Sequence, residues 1–190
     1  MFIQTEPTPN PETLKFLPGR QVMSNGTIFY NSEKESDSSP FAKRLFSVEG
    51  VKSVFFGSDF ITITKEKDLD WQILKPLVLG SIMDHYNSNE ETILTQHSDN
   101  IKKNNLSSND NDDTDLVKQI KELLDTKVRP AVAMDGGDIV FQDFKDGIVY
   151  LNMQGSCSGC PSSTATLKMG IENMLKHYVP EVQEVRPIDG

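Results

Sequence analysis

Cys157 and Cys160 are the residues of this chain best suited to chemistry. They are the only two cysteines among its 190 residues, and two residues separate them. That spacing lets two thiolates bind one soft metal centre from a single loop. A four-sulfur iron–sulfur or zinc site needs two further sulfur ligands. No histidine lies near enough in the sequence to be an obvious third ligand.

Three interpretations of the cysteine pair remain open. In the first, the pair is the redox dithiol of a thiol–disulfide oxidoreductase. In the other two, the pair is half of a metal site that a second copy of the chain completes. The shared site would hold either a structural zinc ion or an iron–sulfur cluster. A thioredoxin-like site follows a βαβ unit, whereas a predicted β-hairpin precedes this loop. We therefore favour the shared metal site.

The residues around the cysteines suit a bound anionic centre. Gly155 and Gly159 let the backbone bend, and Pro161 fits the first position of the helix that follows. The positive N-terminal end of that helix points at Cys160 and favours a thiolate over a thiol there.

The composition excludes several classes of partner. The chain has 28 acidic against 19 basic side chains and a net charge of −9, which repels nucleic acid and anionic lipid. No apolar run approaches the ~20 residues that span a bilayer. Two cysteines are too few for a secreted disulfide scaffold, and residues 1–6 resemble neither an export signal nor an amphipathic presequence. We expect a cytoplasmic protein without nucleic-acid or membrane partners.

The elements that position the cysteine loop form a predicted C-terminal domain, residues 114–190. Thr114 or Asp113 caps a helix, and the turn Lys145-Asp146-Gly147 joins two strands, 139–144 and 148–153. A second helix begins at Pro161, and residues 182–188 form a last strand. The order is therefore α-β-β-α-β.

Residues 1–86 form a second predicted domain, with strands at 2–6, 13–17, 27–30, 51–56 and 60–64. One of its two predicted helices starts at Pro40, and the other is capped by Asp68 or Asp70 and carries Trp71. This domain has no cysteine, so we expect it to recognise a partner. Residues 87–113 are rich in Asn, Ser and Asp and predict a flexible linker. The fold class is α/β (α+β), two small mixed domains joined by that linker.

Several other side chains have structural roles in this interpretation. We expect His85, His97 and His177 at the surface, and Leu77 on the buried face of its helix. The methionines Met134, Met153, Met169 and Met174 are expected to fill gaps in the core. Residues 135–138, Asp-Gly-Gly-Asp, are expected to make a turn from helix to strand rather than an acid–base pair.

Both predicted domains resemble the NifU and Nfu proteins. In the C-terminal half the resemblance covers residues 135–138, the hairpin, and residues 155–163, 166–168 and 170–172. In the N-terminal half it covers residues 2–11, 14–16 and 55–60. Together the matches cover nearly all of the chain except the linker.

The resemblance implies a carrier or scaffold of iron–sulfur clusters rather than an enzyme. By position, it implies that Cys157 and Cys160 of each of two subunits bind one cluster, 4Fe–4S or alternatively 2Fe–2S, in a holo homodimer. Upstream cluster-assembly machinery would supply the cluster and apo iron–sulfur proteins would receive it. The organellar members carry a presequence that residues 1–6 do not resemble. This favours a bacterial cytoplasm, or a mitochondrion if a presequence has been removed.

Overall fold

The computed structural model describes residues 2–88, 90–94, 114–158 and 161–188. The chain divides into two compact units, with the boundary between Ser107 and Ser108. Each unit has its own sheet and its own hydrophobic core. The expectation of two mixed domains is therefore confirmed.

The N-terminal unit is built on a five-stranded antiparallel sheet in the order β1-β2-β5-β4-β3. Its strands are β1 Gln4–Pro7, β2 Thr13–Leu17, β3 Ile28–Tyr30, β4 Val51–Phe56 and β5 Ile61–Lys65. Every predicted strand of this unit is present, with bounds that differ by no more than two residues.

The helices of the N-terminal unit are a short 3-10 helix, Glu33–Ser38, then α1, Pro40–Phe46, and α2, Trp71–Ser88. Helix α1 begins where the sequence predicts, because the Ser39 side chain accepts a hydrogen bond from Ala42 N and Pro40 is its first residue. The core between helices and sheet includes Phe16, Phe41, Val54, Phe56, Ile61, Ile63, Leu74, Val78 and Ile82.

The C-terminal unit has the predicted order α-β-β-α-β. Its first helical stretch comprises α3, Asp115–Leu123, a π-helical segment, Leu124–Val128, and α4, Arg129–Met134. The later elements are β6, Gly137–Lys145; β7, Ile148–Gly155; α5, Pro161–Tyr178; and β8, Glu184–Ile188. Strand β7 is central, antiparallel to β6 and parallel to β8. The π-helical segment was not predicted.

The β6–β7 hairpin closes through a two-residue turn, as predicted. Asp146 and Gly147 both have positive φ, 52° and 77°, which is the backbone that an Asp-Gly pair favours in a tight hairpin. The core packed around this hairpin includes Ile139, Val149, Leu151, Ile171 and Leu175.

The start of the predicted linker belongs to the N-terminal unit. Helix α2 continues to Ser88. After the helix, residues 90–94 still contact the N-terminal unit. Leu94 N donates to Ser38 O at 3.0 Å, and Arg44 lies 2.8 Å from Glu90. Residues 95–113 lie outside the described residues, so the flexible linker stays a prediction.

The expectation of a surface position was wrong for His85, which is 1% exposed. Its ring stacks on Phe41 with centroids 3.8 Å apart and planes 6° apart. Position 85 lies three residues after Ile82 and seven after Val78, so it falls on the buried face of α2. His177 is exposed, and His97 lies outside the described residues.

Three apolar side chains expected in the core are exposed instead. Leu77 is 54% exposed, Met134 77% and Met169 65%, whereas Met153 is buried. Leu77 follows Leu74 by three residues, but the buried face of α2 runs through Val78 and Ile82. Met134 ends α4, and Met169 lies two residues before the buried Ile171, towards the other side of α5.

Candidate metal-binding site

Cys157 lies just after β7, in the turn that leads towards α5. It is 6% exposed, and its side chain belongs to the hydrophobic core of the C-terminal unit. Cys160 lies outside the described residues, so the placement of the two thiols relative to each other stays a prediction. The thiol that the structure does describe faces inward.

Hydrogen bonds tie the Cys157 turn to the segments on either side. On one side, Ser156 Oγ donates to Asp135 O at 2.6 Å and Ser156 N donates to Gly136 O at 3.2 Å. On the other side, Thr164 Oγ1 in the first turn of α5 donates to Cys157 O at 3.1 Å. The Cys157 turn is thereby connected both to the segment before β6 and to α5, the helix that follows the turn.

Gly137 forms the surface against which the thiol packs. A Cβ atom on residue 137 would lie 2.6 Å from Cys157 Sγ and 2.8 Å from Gln154 O. Gly136 beside it has φ +80°, a backbone conformation that glycine adopts without steric cost. Asp135 and Gly136 do make the turn from helix to strand, and Gly137, the first residue of β6, makes room for the cysteine. The sequence did not predict that contact.

Asp138, the last residue of that run, is held by a bidentate ion pair. Arg129 Nε lies 2.8 Å from Asp138 Oδ1, and Arg129 Nη2 lies 2.7 Å from Oδ2. Asp138 is 3% exposed and also accepts from Ile139 N. The hydrogen bonds that Arg129 donates to Asp138 raise the pKa of the Arg129 guanidinium above its ordinary value. The ion pair fixes the start of β6 against the start of α4.

The π-helical segment directly precedes Arg129. A π turn inserts an extra residue into a helix and so rotates the residues after it relative to those before it. It therefore contributes to the rotation between α3 and α4, the helix that Arg129 begins. The sequence signal that could have indicated the pair of Arg129 with Asp138 was the combination of an arginine at a weakened helix with a carboxylate nine residues later.

Burial sets the electrostatics of the described thiol. Burial raises the pKa of Cys157 to about 11; the hydrogen bond with Ser156 opposes this, and the charges of Asp135 and Asp138 add to it. At pH 7 the side chain is therefore a neutral thiol in this conformation. Metal ligation and thiol–disulfide exchange both require the thiolate.

Among the residues that the structure describes, no group of three or more His, Cys, Asp and Glu side chains is arranged to hold a metal ion. None of the helices in the described ranges is long and apolar enough to cross a membrane.

Comparison with known proteins assigns both units to one family. Residues 3–89 match the family described as "Scaffold protein Nfu/NifU N terminal", and residues 120–186 match the "NifU-like domain". The human protein named "NFU1 iron-sulfur cluster scaffold homolog, mitochondrial" is 48% identical over 189 residues, which are 99% of this chain and 72% of that one. The chain belongs to the Nfu family.

Further members resemble this Nfu chain over nearly all of its length. The protein of the same name from Drosophila willistoni is 52% identical over 99% of this chain. "NifU-like protein 4, mitochondrial" from Arabidopsis thaliana is 50% identical over 97%. The chain spans 64% of the Drosophila protein and 65% of the Arabidopsis protein.

Two solved structures are similar to part of this chain. The solution structure of a NifU-like protein from Saccharomyces cerevisiae has 28% sequence identity and a TM-score of 0.45. The match covers 50% of this chain and 86% of the yeast chain. The crystal structure of a Staphylococcus aureus protein has 33% identity, a TM-score of 0.39, and covers 43% and 99%.

The expectation of a bacterial cytoplasm was wrong. The related proteins from human, fly and plant are all named as mitochondrial. The expectation rested on residues 1–6, but Gln4 already begins β1 of the Nfu N-terminal unit. Gln4, Thr5 and Glu6 lie in this strand, so they are part of the folded unit and were a poor basis for that expectation.

Proposed function

We propose that this Nfu chain is a scaffold or carrier of iron–sulfur clusters in the mitochondrion, and not an enzyme. Cys157 and Cys160 bind the cluster, which is cargo and is passed on to apo-proteins. The observation that carries the proposal is the pair of cysteines, the only two in the chain, which follows β7 in the sequence of a NifU-like unit. Relatives over 97–99% of the chain are named as cluster scaffolds or NifU-like proteins.

The ligand count favours a site shared by two copies. An iron–sulfur cluster is usually held by four cysteine thiolates, and one chain has two. Two copies would bind a 4Fe–4S cluster with one cysteine pair each. Such a site suits release, because separation of the subunits removes half of the ligands at once.

The alternative function for the same cysteine pair is that of a thiol–disulfide oxidoreductase. The attacking cysteine of such an enzyme has a lowered pKa and is accessible. Burial raises the pKa of Cys157 to about 11, and the residue is 6% exposed. A thiol in that state is a poor nucleophile and a poor metal ligand until its surroundings change, so the burial of Cys157 does not discriminate between the two functions.

The N-terminal unit fits a role in partner recognition. It contains no cysteine, and exposed apolar side chains lie on α2, including Ile73 at 66% and Leu77 at 54% exposure. We assign to this unit the recognition of cluster donors or of recipient apo-proteins.

Anaerobic reconstitution tests the ligand set. The protein should bind about one cluster per two chains, and the holo form should elute as a larger species than the apo form. Mössbauer spectra would distinguish 4Fe–4S from 2Fe–2S, and Cys157→Ser and Cys160→Ser should each abolish binding. A full cluster on a strictly monomeric protein would contradict the shared site.

Transfer is tested with a cysteine-ligated apo-recipient. The holo-protein should activate the recipient faster than the same amounts of free iron and sulfide, and a strong chelator should not block activation, because ligands are exchanged directly. Activation that the chelator blocks, together with catalytic reduction of protein disulfides, would favour the oxidoreductase instead.

A further inference from the structure

In its described position, Cys157 presents its sulfur to the core of the C-terminal unit rather than to the surface. A Cβ on Gly137 would already lie 2.6 Å from the sulfur, so an iron atom with three further ligands has no room on that side. The residue is 6% exposed, and a cluster shared with a second subunit must face outward. The sulfur therefore has to leave its pocket before it binds cargo.

Two hydroxyl groups hold the cysteine in that pocket. Thr164 Oγ1 donates to the carbonyl of Cys157 itself, at 3.1 Å, and links it to the first turn of α5. Ser156 Oγ donates to Asp135 O at 2.6 Å and links the preceding residue to the Asp-Gly-Gly-Asp turn. Ser156 is 2% exposed. If its hydrogen bond to Asp135 O broke while the side chain stayed buried, the hydroxyl would have no water molecule to replace that acceptor, which is unfavourable.

We propose that Thr164 and Ser156 are positioning residues that keep Cys157 in a closed state, and that the turn around Cys157 must open locally before a cluster binds. This inference rests on the proposed function for the identity of the cargo. The closed state itself is a property of the apo-protein and is measurable without iron.

The opening is expected to be local because the contacts that hold Cys157 are separable from the core. The turn follows the end of β7, and the hydrogen bonds that fix it come from two side-chain hydroxyls and from the backbone of Ser156 and Ser158. The strand pairing of β6 with β7 ends at Gly137 and Gly155. Residues beyond that pair can move while the sheet remains intact.

The rate of Cys157 alkylation in the full-length apo-protein tests the proposal. A Cys160→Ser background leaves Cys157 as the one thiol, and iodoacetamide labelling is compared with the rate in unfolding concentrations of urea. We expect the folded protein to be labelled roughly 100-fold more slowly, or slower still. The labelling rate should change little at low urea concentrations, because a local opening exposes little surface.

Thr164→Val should raise the labelling rate by roughly two- to tenfold, the range that corresponds to loss of one ordinary hydrogen bond. Thr164→Ser keeps the hydroxyl and should restore the slow rate. Thr126→Val is the matched control: Thr126 Oγ1 donates to Glu122 O at 2.7 Å in the same unit, but it lies on the π-helical segment. That control should label at the parent rate.

Three outcomes would overturn the closed state. Labelling of the folded protein as fast as of the unfolded chain would show that Cys157 is not sheltered. A Thr164→Val rate equal to that of the parent would remove Thr164 as a restraint. Labelling that increases with urea in proportion to global unfolding would show that no local opening exists.

Cluster loading separates this inference from the proposed function. With Cys160 present, Thr164→Val should load clusters faster than the parent during reconstitution and reach the same final amount per dimer. A sheltered thiol in a protein that binds no cluster would refute the proposed function alone. Cluster binding at equal rates in both proteins would refute the gating role of Thr164 alone.

Discussion

Gly137 and Cys157 pack so closely that residue 137 has no room for a side chain. The added Cβ would lie 2.6 Å from the cysteine sulfur and 2.8 Å from the carbonyl of Gln154. The carbonyl belongs to the neighbouring strand and cannot turn away as a flexible side chain could. Cys157 and Gly137, the first residue of β6 and 20 positions earlier in the chain, are therefore packed as one close contact.

Gly137→Ala should destabilise the C-terminal unit by about 1–3 kcal/mol, the usual cost of overpacking. It should also speed the alkylation of Cys157, because the sulfur is pushed out of its pocket. Urea unfolding followed by circular dichroism measures the first effect. Trp71, the single tryptophan, reports the N-terminal unit separately by fluorescence and should show no change.

Gly170→Ala is the matched control in the same unit. A Cβ at position 170 meets nothing within 4 Å, and the residue lies inside α5, where alanine stabilises a helix by about 1 kcal/mol relative to glycine. This variant should therefore be more stable than the parent. Equal destabilisation by both substitutions would contradict the packing described for Gly137.

Arg129→Ala should cost about 3 kcal/mol, near the low end for a buried charge that loses its partner. Asp138 would keep its carboxylate at a 3% exposed position, with the Ile139 amide as a remaining donor. The value is at the low end because the Arg129 side chain is 35% exposed and water can enter. Urea unfolding of the C-terminal unit measures it.

The control for that variant is Arg186→Ala, which breaks an exposed pair with Glu184 at 3.0 Å. Exposed ion pairs contribute little to stability, so the urea midpoint of Arg186→Ala should match that of the parent. A loss in Arg129→Ala no larger than in the control would show that the Asp138 pair does not stabilise the start of β6.

The sequence predicted the secondary structure of the cysteine region because that structure depends on local signals. The Asp146-Gly147 turn and the proline that begins α5 are each sufficient to place their elements. The contact of Gly137 with Cys157 and the pair of Arg129 with Asp138 join residues that are 20 and 9 positions apart. Such contacts depend on how the elements pack, which periodicity does not encode.

Buried polar residues were the other weakness of the sequence-based interpretation. His85 was assigned to the surface from its residue type, although its position on α2 matches the buried Val78 and Ile82. Helical spacing was the better guide at this position. It was misleading at Leu77, whose apolar side chain is 54% exposed.

The modular organisation predicts the pattern of limited proteolysis. Residues 90–94 are held by the N-terminal unit through contacts such as Arg44 with Glu90 and Leu94 with Ser38. The polar composition of residues 95–113 favours cleavage there. Trypsin should therefore cut first after Lys102 or Lys103.

The two products of that cleavage should each remain folded. The piece from about residue 104 onwards should still bind a cluster, and the N-terminal piece should remain colourless, since it has no cysteine. Mass spectrometry and reconstitution of the separated pieces provide the measurement. Unfolding of either piece after separation would show that the two units depend on each other.

The last prediction concerns the pH dependence of the N-terminal unit. Burial lowers the pKa of His85 from 6.5 to about 4; the positive charge of Arg44 contributes to the lowering, and Glu90 opposes it. The folded state therefore favours the neutral ring. His85 Nδ1 is buried and has no hydrogen-bond partner among the described residues, so a proton placed there would be poorly stabilised.

The sign of the effect follows from proton binding. Between pH 6.5 and about 4 the unfolded chain binds a proton at His85 that the folded protein does not bind. The contribution to stability is complete above pH 6.5 and is lost as the pH falls towards 4, by up to about 3 kcal/mol. Urea unfolding followed by Trp71 fluorescence at several pH values measures this loss.

His85→Phe isolates the contribution of the histidine. A phenyl ring keeps the stacking on Phe41, whose centroid lies 3.8 Å from that of His85, and it does not titrate. Between pH 6.5 and 4 the variant should lose less stability than the parent, whereas His177→Gln at an exposed position should behave as the parent does. Carboxylates such as Glu90 titrate in all three proteins, so the difference between curves reports His85. Parallel curves for the parent and His85→Phe would show that the buried ring is not held neutral by the fold.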